Sequence, residues 1–326
     1  MDKLLFSINA VLPIILPILL GFYLKKRNFF GDTFIKQANK LCFRVLIPLL
    51  LFDNVYKADL SNINVNLLIF CVAAVIILFI LGFIYVKIFV EDNKQKGVVL
   101  QSFFRSNYAI IGIPLATLIA GDSAKAEASI ISAAIIPLFN IFAVVALTIF
   151  DKEENQKISV KALLYKIIKN PLIIGVFSGV IVSMFMRFLD ANNIFNGFSS
   201  TNFLPNTISS LGKVATPLAL IVLGANFKFE DTKAFKGVLT FTVLVRLFII
   251  PTIVMVAGYI FGLRDAVSFA IFIAAFGTPI AVSSSPMAME MHQDADLAGQ
   301  IVIWTSVVSA ISLFLIIFAC GIVGIF

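Results

Sequence analysis

Charged side chains are scarce in this chain of 326 residues: they make up 13% of it, against about 25% in soluble domains. Histidine occurs once, at His292, and the three cysteines (Cys42, Cys71 and Cys320) are scattered, with no Cys-x-x-Cys pair. These shortages argue against a zinc site and a disulfide framework. No HExxH, Ser/His or paired-Asp pattern falls in an apolar stretch, so we expect no metal, no cofactor and no enzyme activity.

The chain is instead rich in hydrophobic residues. They form 60% of the chain, and the mean hydropathy is +1.03, which is typical of a membrane protein. A membrane span needs about 20 mostly apolar residues. The N-terminal stretch has no cleavage site and a basic cluster after its apolar run, so we expect a first span there and no signal peptide. We predict an all-α polytopic protein with ten transmembrane helices at 4–24, 34–56, 66–90, 98–120, 127–150, 171–190, 207–227, 237–261, 266–289 and 298–324.

The basic residues orient these spans. The net charge is +7, but the positive charges lie in short loops, which indicates topology signals and no nucleic-acid surface. Loops after spans 1, 3, 5, 7 and 9 hold sixteen lysines and arginines, and the opposite side holds five. Positive loops face the cytoplasm, so we predict a plasma-membrane protein with both termini outside.

The chain repeats itself weakly with a period of five spans. Five is odd, so matched spans cross in opposite directions, as in the inverted repeats of many secondary transporters. We therefore predict a first five-helix repeat at 1–150, a cytoplasmic linker at 151–170 and a second, inverted repeat at 171–326. The matched stretches are PILLGFY (17–23) with PLIIGVF (171–177), RVLIPL (44–49) with KVATPL (213–218), and GIP (112–114) with GTP (277–279).

Helix breakers stand at matched places in spans 4 and 9. Gly112 and Pro114 predict an interruption near the middle of span 4, with Pro114 as the first residue of the second half-helix. In span 9, Gly277, Pro279 and Pro286 enclose a run of three serines. Broken helices in both halves of a transporter mark a binding site near the membrane midplane.

The residues around these breaks favour an anionic substrate. A half-helix that begins at the midplane presents free N–H groups and a partial positive charge. Ser285-Pro286 is typical of an N-cap serine followed by a first-turn proline. Directional hydrogen bonds are expected from Asn107, Thr278, Ser283 and Ser284.

Four cations and an asparagine lie within the apolar stretches. For Arg105 the sequence leaves two interpretations, contact with an anion or snorkelling to the cytoplasmic interface. Arg44 and Lys213 precede matched prolines by four residues, and bonds to the carbonyls that those prolines free are favoured over substrate contact. Snorkelling is favoured for Arg246. Asn140 is a weaker pocket candidate, and an interhelical hydrogen bond is favoured for it.

At this point a family resemblance appears. The stretch RSNYAIIGIPL (105–115) resembles the span-4 motif of the auxin efflux carrier family, R-x-N-x-x-x-x-G-x-P-L, and the resemblance extends over the whole chain. It implies two inverted five-helix repeats, a scaffold part, a transport part with crossed, broken helices 4 and 9, elevator-type movement and a homodimer. It implies site roles for Asn107, Pro114 and Pro279. The short midpoint linker is similar to that of prokaryotic permeases, which implies small carboxylates such as malate or malonate.

Other functions stay open on the sequence. The bile-acid sodium symporters have a related architecture, and unwound carbonyls can coordinate sodium, so the coupling ion, H+ or Na+, is undecided. A membrane sensor that does not transport would use the same helical body. The expected partners are a small organic anion and the lipid bilayer.

Overall fold

The computed structural model describes residues 2–57, 64–150, 165, 168–191 and 203–326, and every regular element in these ranges is a helix. The predicted linker at 151–170 lies outside the described residues, except for 165 and 168–170. The α-helices are α1 Asp2–Lys26, α2 Asp32–Leu41, α3 Ile47–Tyr56, α4 Val65–Phe89, α5 Asn93–Phe104, α6 Ile113–Ile149, α7 Pro171–Ala191, α8 Phe203–Asn226, α9 Phe229–Ala234, α10 Lys236–Leu244, α11 Ile250–Ile260, α12 Ala266–Phe272, α13 Ser284–Glu290 and α14 Ala295–Ile322.

The all-α prediction is confirmed for the described residues, and six helical runs are long and apolar enough to cross a membrane. One of them, Asn93–Ile149, has 57 residues, more than twice the ~20 that one span needs. It bends at Ala120 and Gly121, where Gly121 has φ 72°. The number of spans, ten, stays a prediction. The six runs are Val65–Phe89, Asn93–Ile149, Pro171–Leu189, Phe203–Asn226, Lys236–Ile260 and Ala295–Ile322.

Prolines leave a regular mark on these helices. Each π-helical turn in the described chain is followed, two residues after its end, by a proline. A proline clashes with the carbonyl four residues before it, and the wider π-turn moves that carbonyl aside. The pairs are Cys42–Leu46 with Pro48, Tyr108–Gly112 with Pro114, Val245–Ile249 with Pro251 and Ile273–Gly277 with Pro279.

The helices pack in two groups. In the first group, α1 packs on α8, and α3 packs on α7 and α8. The second group contains α4, α5, α6 and α10 to α14, with α4 on α5, α6 on α12, and α13 on α14. Glycines make the first group tight: a Cβ on Gly21 would overlap the Ile221 carbonyl oxygen, and one on Gly224 would overlap that of Ile18. The main contact between the groups runs from α1 to α14.

Candidate functional site

The first break in the helices lies at residues 105–107, between α5 and the π-turn Tyr108–Gly112. The prediction that Gly112 and Pro114 interrupt span 4 is therefore wrong in position. The π-turn absorbs Pro114, and the helix continues through it with Ile113 at φ −61° and ψ −48°. The second half-helix begins at Tyr108, so Pro114 is an exposed residue of its second turn.

The second break lies at residues 278–283, between the π-turn Ile273–Gly277 and α13. Gly277 and Pro286 flank it, as predicted, and the backbone at Thr278 is extended, with ψ 156°. The helix α13 begins at Ser284 with Ser283 at the cap position, so the N-cap assigned to Ser285 is wrong by two residues. Pro286 lies in the first turn, where its missing N–H costs no helical hydrogen bond.

The two breaks contact each other. The backbone N–H of Asn107 donates to the carbonyl of Pro279 at 2.8 Å, which joins the first break to the second. One turn further on, a Cβ on Gly112 would lie 2.8 Å from the carbonyl oxygen of Ala274, so only glycine permits this approach. The polar backbone of each break is thus partly satisfied by protein, as membrane depth requires.

A cavity of about 70 Å³ opens beside the two breaks and has room for several waters or one small solute. It lies between the two helix groups: α3 and α8 line one side, and the breaks and α6 line the other. The wall is mainly apolar, and Arg105 is the one charged side chain among the described residues that line it. The polar lining residues are Asn54, Arg105, Ser106, Asn107, Tyr108, Asn140, Thr216 and Ser283.

Arg105 is 1% exposed, so the snorkelling interpretation is wrong. Its guanidinium donates only to neutral groups: Nη1 to Gln101 Oε1 at 2.6 Å and Met287 Sδ at 2.8 Å, and Nη2 to Asn140 Oδ1 at 3.0 Å and Ser283 Oγ at 2.6 Å. No carboxylate pairs with Arg105 in the part of the chain that the structure describes. Arg105 therefore presents an uncompensated positive charge to the cavity. Such a charge is costly to bury, so an anion that paired with it would be bound favourably.

Further donors beside Arg105 have no acceptor. Asn107 Nδ2 and Ser106 Oγ are buried, belong to lining residues and have no partner among the described residues. The half-helix that begins at Tyr108 adds backbone N–H groups with no intrahelical acceptor and the positive end of its dipole. The site is therefore rich in donors and positive in charge, the combination that a carboxylate needs.

Some of the site residues predicted from the sequence line the cavity. Of the ten residues predicted to bind substrate, Asn107 and Ser283 line it, together with the charge candidate Arg105 and the pocket candidate Asn140. Asn140 also makes the expected interhelical bond, to Arg105. The binding roles stay a prediction. The predicted residues that do not line the cavity are Gly112, Pro114, Gly277, Thr278, Pro279, Ser284, Ser285 and Pro286.

Sequence reasoning missed four polar lining residues: Asn54, Ser106, Tyr108 and Thr216. Three of them carried a signal. Ser106 and Tyr108 flank Asn107 in the span-4 motif, and Thr216 directly precedes the proline of a matched stretch. Asn54 carried none, because only the packing of the helices brings it to the cavity.

Three cations take other places than predicted. Arg246 does not snorkel: it is 0% exposed and donates to the carbonyls of Thr278 and Ala275. Arg44 and Lys213 are exposed, and neither donates to a carbonyl among the described residues, so their predicted bonds to carbonyls freed by prolines are wrong. Arg44 instead pairs with Glu290 at 3.6 Å, which ties the first helix group to the end of α13.

A family model described as "Membrane transport protein" matches residues 6–317, nearly the whole chain. The chain belongs to the auxin efflux carrier family. This carrier is also 22% identical over 309 residues to a protein named "Uncharacterized transporter" from Methanothermobacter thermautotrophicus, and the match covers 94% of this chain and 96% of that relative. The carrier is thus a membrane transport protein, and the resemblance noted in its span-4 motif is confirmed.

Proposed function

We propose that this carrier is a secondary transporter of a small organic anion, such as a carboxylate, and that the anion binds in the cavity between the two breaks. One observation carries the proposal: Arg105 lines the cavity, is buried, and has no acidic partner among the described residues. An anion entering the cavity supplies the missing counter-charge.

Each polar group has a place in this proposal. The carboxylate accepts from the guanidinium of Arg105, from Asn107 Nδ2 and from Ser106 Oγ, and the latter two have no other acceptor in the described structure. Asn140 and Ser283 hold the guanidinium toward the cavity through their side-chain oxygens. The apolar wall takes the carbon skeleton, because burial of apolar surface is favourable and non-directional.

The position of the cavity supports alternating access. We propose an elevator in which the first helix group stays in place as a scaffold while the second group moves with the bound anion. The cavity at the boundary of the two groups supports this division, since a sliding boundary opens it first to one side and then to the other.

The architecture proposed with it is ten spans in two inverted repeats, with helices 4 and 9 crossed at the breaks. Two features support it. The π-turns Tyr108–Gly112 and Ile273–Gly277 both end at the glycine of a Gly-x-Pro motif. Gly21 of span 1 packs against span 7, while its match, Gly175 of span 6, packs against Pro48 of span 2, as an exchange of the halves requires.

We also propose a plasma-membrane location, both termini outside and a homodimer. The distribution of lysine and arginine supports the orientation, and the family resemblance supports the dimer. Tags on each terminus, probed with a membrane-impermeant reagent on intact cells, test the orientation. Light scattering of the purified carrier measures the mass and tests the dimer.

Uptake into proteoliposomes tests the function. A panel of labelled monocarboxylates and dicarboxylates, malate and malonate among them, is offered with imposed proton and sodium gradients in turn. Wild type is compared with Asn107→Ala and with the matched control Asn66→Ala, an exposed asparagine on α4 away from the breaks. We expect saturable uptake of a carboxylate in wild type and N66A, and its loss in N107A.

The other outcomes separate the alternatives. Wild-type uptake in N107A would move the binding site away from the first break. Uptake that needs a sodium gradient would favour a symporter of the bile-acid type. If folded wild type transports no carboxylate but binds one, a sensor replaces the transporter in this account.

A further inference from the structure

Arg246 is the second buried arginine, and its contacts differ from those of Arg105. Nε and Nη2 donate to the carbonyl oxygen of Thr278 at 3.0 and 2.9 Å, and Nη2 reaches that of Ala275 at 3.4 Å. No acidic side chain pairs with it in the described ranges, and it does not line the cavity. Its positive charge is therefore held by backbone carbonyls of span 9.

These carbonyls lie at the end of a half-helix and need a hydrogen-bond donor or a cation. The helix of span 9 ends at Gly277, so its last carbonyls have no following helical N–H, and Pro279 has none to offer. The C-terminal end of a helix also carries a partial negative charge. In transporters with broken helices, unwound carbonyls and half-helix C-termini of this kind bind coupling sodium ions.

We propose that Arg246 is a built-in cation, which occupies with its guanidinium the carbonyl site where a sodium-coupled carrier would bind Na+. Arg246 thereby holds the second break open, and transport needs no cation at this place. The statement that transport needs no cation at this place rests on the proposed carrier function. The statement that Arg246 takes the place of a cation at these carbonyls does not depend on it.

The matched motif in the other half supports this role. In Gly112-Ile-Pro114, no arginine donates to the Ile113 carbonyl in the described structure, and Ile113 stays helical. In Gly277-Thr-Pro279, the guanidinium binds Thr278, whose backbone is extended with ψ 156°. The next carbonyl, that of Pro279, accepts from Asn107, so Arg246 is a positioning residue for the cavity.

Rescue by added cations tests the proposal. The full-length carrier is prepared as wild type, Arg246→Ala, Arg246→Lys and Arg264→Ala. Arg264 is the matched control, because it also donates to a helix-end carbonyl, that of Tyr259, but is exposed. Thermal unfolding and carboxylate uptake are measured in choline, sodium and guanidinium chloride at equal, non-denaturing ionic strength.

We expect wild type and R264A to show the same Tm and uptake in sodium as in choline. Uptake by R246A in choline should fall at least about tenfold, because hydrogen bonds from a charged donor are lost. Guanidinium or sodium should restore Tm and uptake in R246A alone, and R246K, which keeps a charge, should be intermediate. Restoration of Tm and uptake in R246A would require that the added cation binds in place of the guanidinium. If Arg246 only filled space, added cations would not restore them.

Three results would overturn the inference: sodium-dependent Tm or uptake in wild type, full uptake by R246A in choline, or an R246A defect that neither cation reduces. If R246A does not fold, Arg246→Met is compared with R246K, and equal Tm values overturn it. The Tm series needs no substrate, so it decides the role of Arg246 even if wild type transports no carboxylate and the proposed function fails.

Discussion

Replacing Arg105 by glutamine removes the charge from the cavity but keeps a side chain that can bond Asn140 or Ser283. A hydrogen bond to a charged group contributes about 1.5–3 kcal/mol, and a neutral one about 1 kcal/mol. The four protons on the Nη atoms already bond to neutral groups of the protein, which leaves the Nε–H of Arg105 for a carboxylate. One charged bond exceeds a neutral one by roughly 1.4 kcal/mol, which corresponds to about tenfold weaker binding.

The same substitution has an opposite sign for stability. Arg105 is buried with no acidic partner in the described structure, and burial of an unpaired ion costs several kcal/mol. We expect R105Q to unfold at the wild-type Tm or above it, while losing affinity. The trade of stability for binding is typical of a functional charge and not of a structural one.

Calorimetric titration of purified protein with the carboxylate that wild type transports measures the affinity, and a thermal-unfolding assay measures Tm. Arg264→Gln, which changes an exposed arginine, is the matched control and should bind as wild type does. Undiminished affinity in R105Q would refute the role of the charge in binding. A clearly lower Tm would make Arg105 a structural residue.

Three further predictions concern Gly112, Gly224 and Asp294. Gly112→Ala places a Cβ 2.8 Å from the Ala274 oxygen and should push the breaks apart, so uptake should fall while the helical circular dichroism persists. Gly224→Ala, whose Cβ would overlap the Ile18 oxygen, should destabilise the fold by about 1–3 kcal/mol and so lower Tm. Gly237→Ala is the control: its Cβ would meet open space, and Tm should not fall. Burial raises the pKa of Asp294 in the loop before α14, so its ionised form destabilises the fold near neutral pH and stability returns as pH falls. Asp294→Asn keeps an N-cap and should raise Tm near neutral pH, with a gap that narrows in acid; a constant gap would contradict the role of ionisation.

The sequence predicted the second break because Gly277, Pro279 and Pro286 act together through local backbone chemistry. It misplaced the first break for a physical reason. Pro114 is a strong local breaker, yet a π-turn absorbs it, and the chain departs from the helix at residues 105–107, where no residue is a breaker. A tertiary contact, the bond from Asn107 to Pro279, accompanies that departure, and no local pattern reports it.

The buried arginines also show the difference between what local sequence predicts and what tertiary contacts decide. That Arg105 belongs to the site was open on the sequence, because depth within a span does not tell burial from snorkelling. The bonds from Arg246 to Thr278 join residues 32 positions apart, which no spacing rule connects. Helix content, by contrast, is local: the described chain is all helical, with six runs long and apolar enough to cross a membrane, because apolar length and caps determine where helices form.

The most direct test of the account is access to the cavity from both sides of the membrane. Ala281 lines the cavity in the second break, and the native cysteines are buried, so wild type gives the background. In proteoliposomes of Ala281→Cys, a membrane-impermeant thiol reagent applied from either side should label Cys at this position, and the transported carboxylate should protect it. Labelling from one side only, or labelling that no transported carboxylate slows, would contradict an anion site that alternates between the two faces.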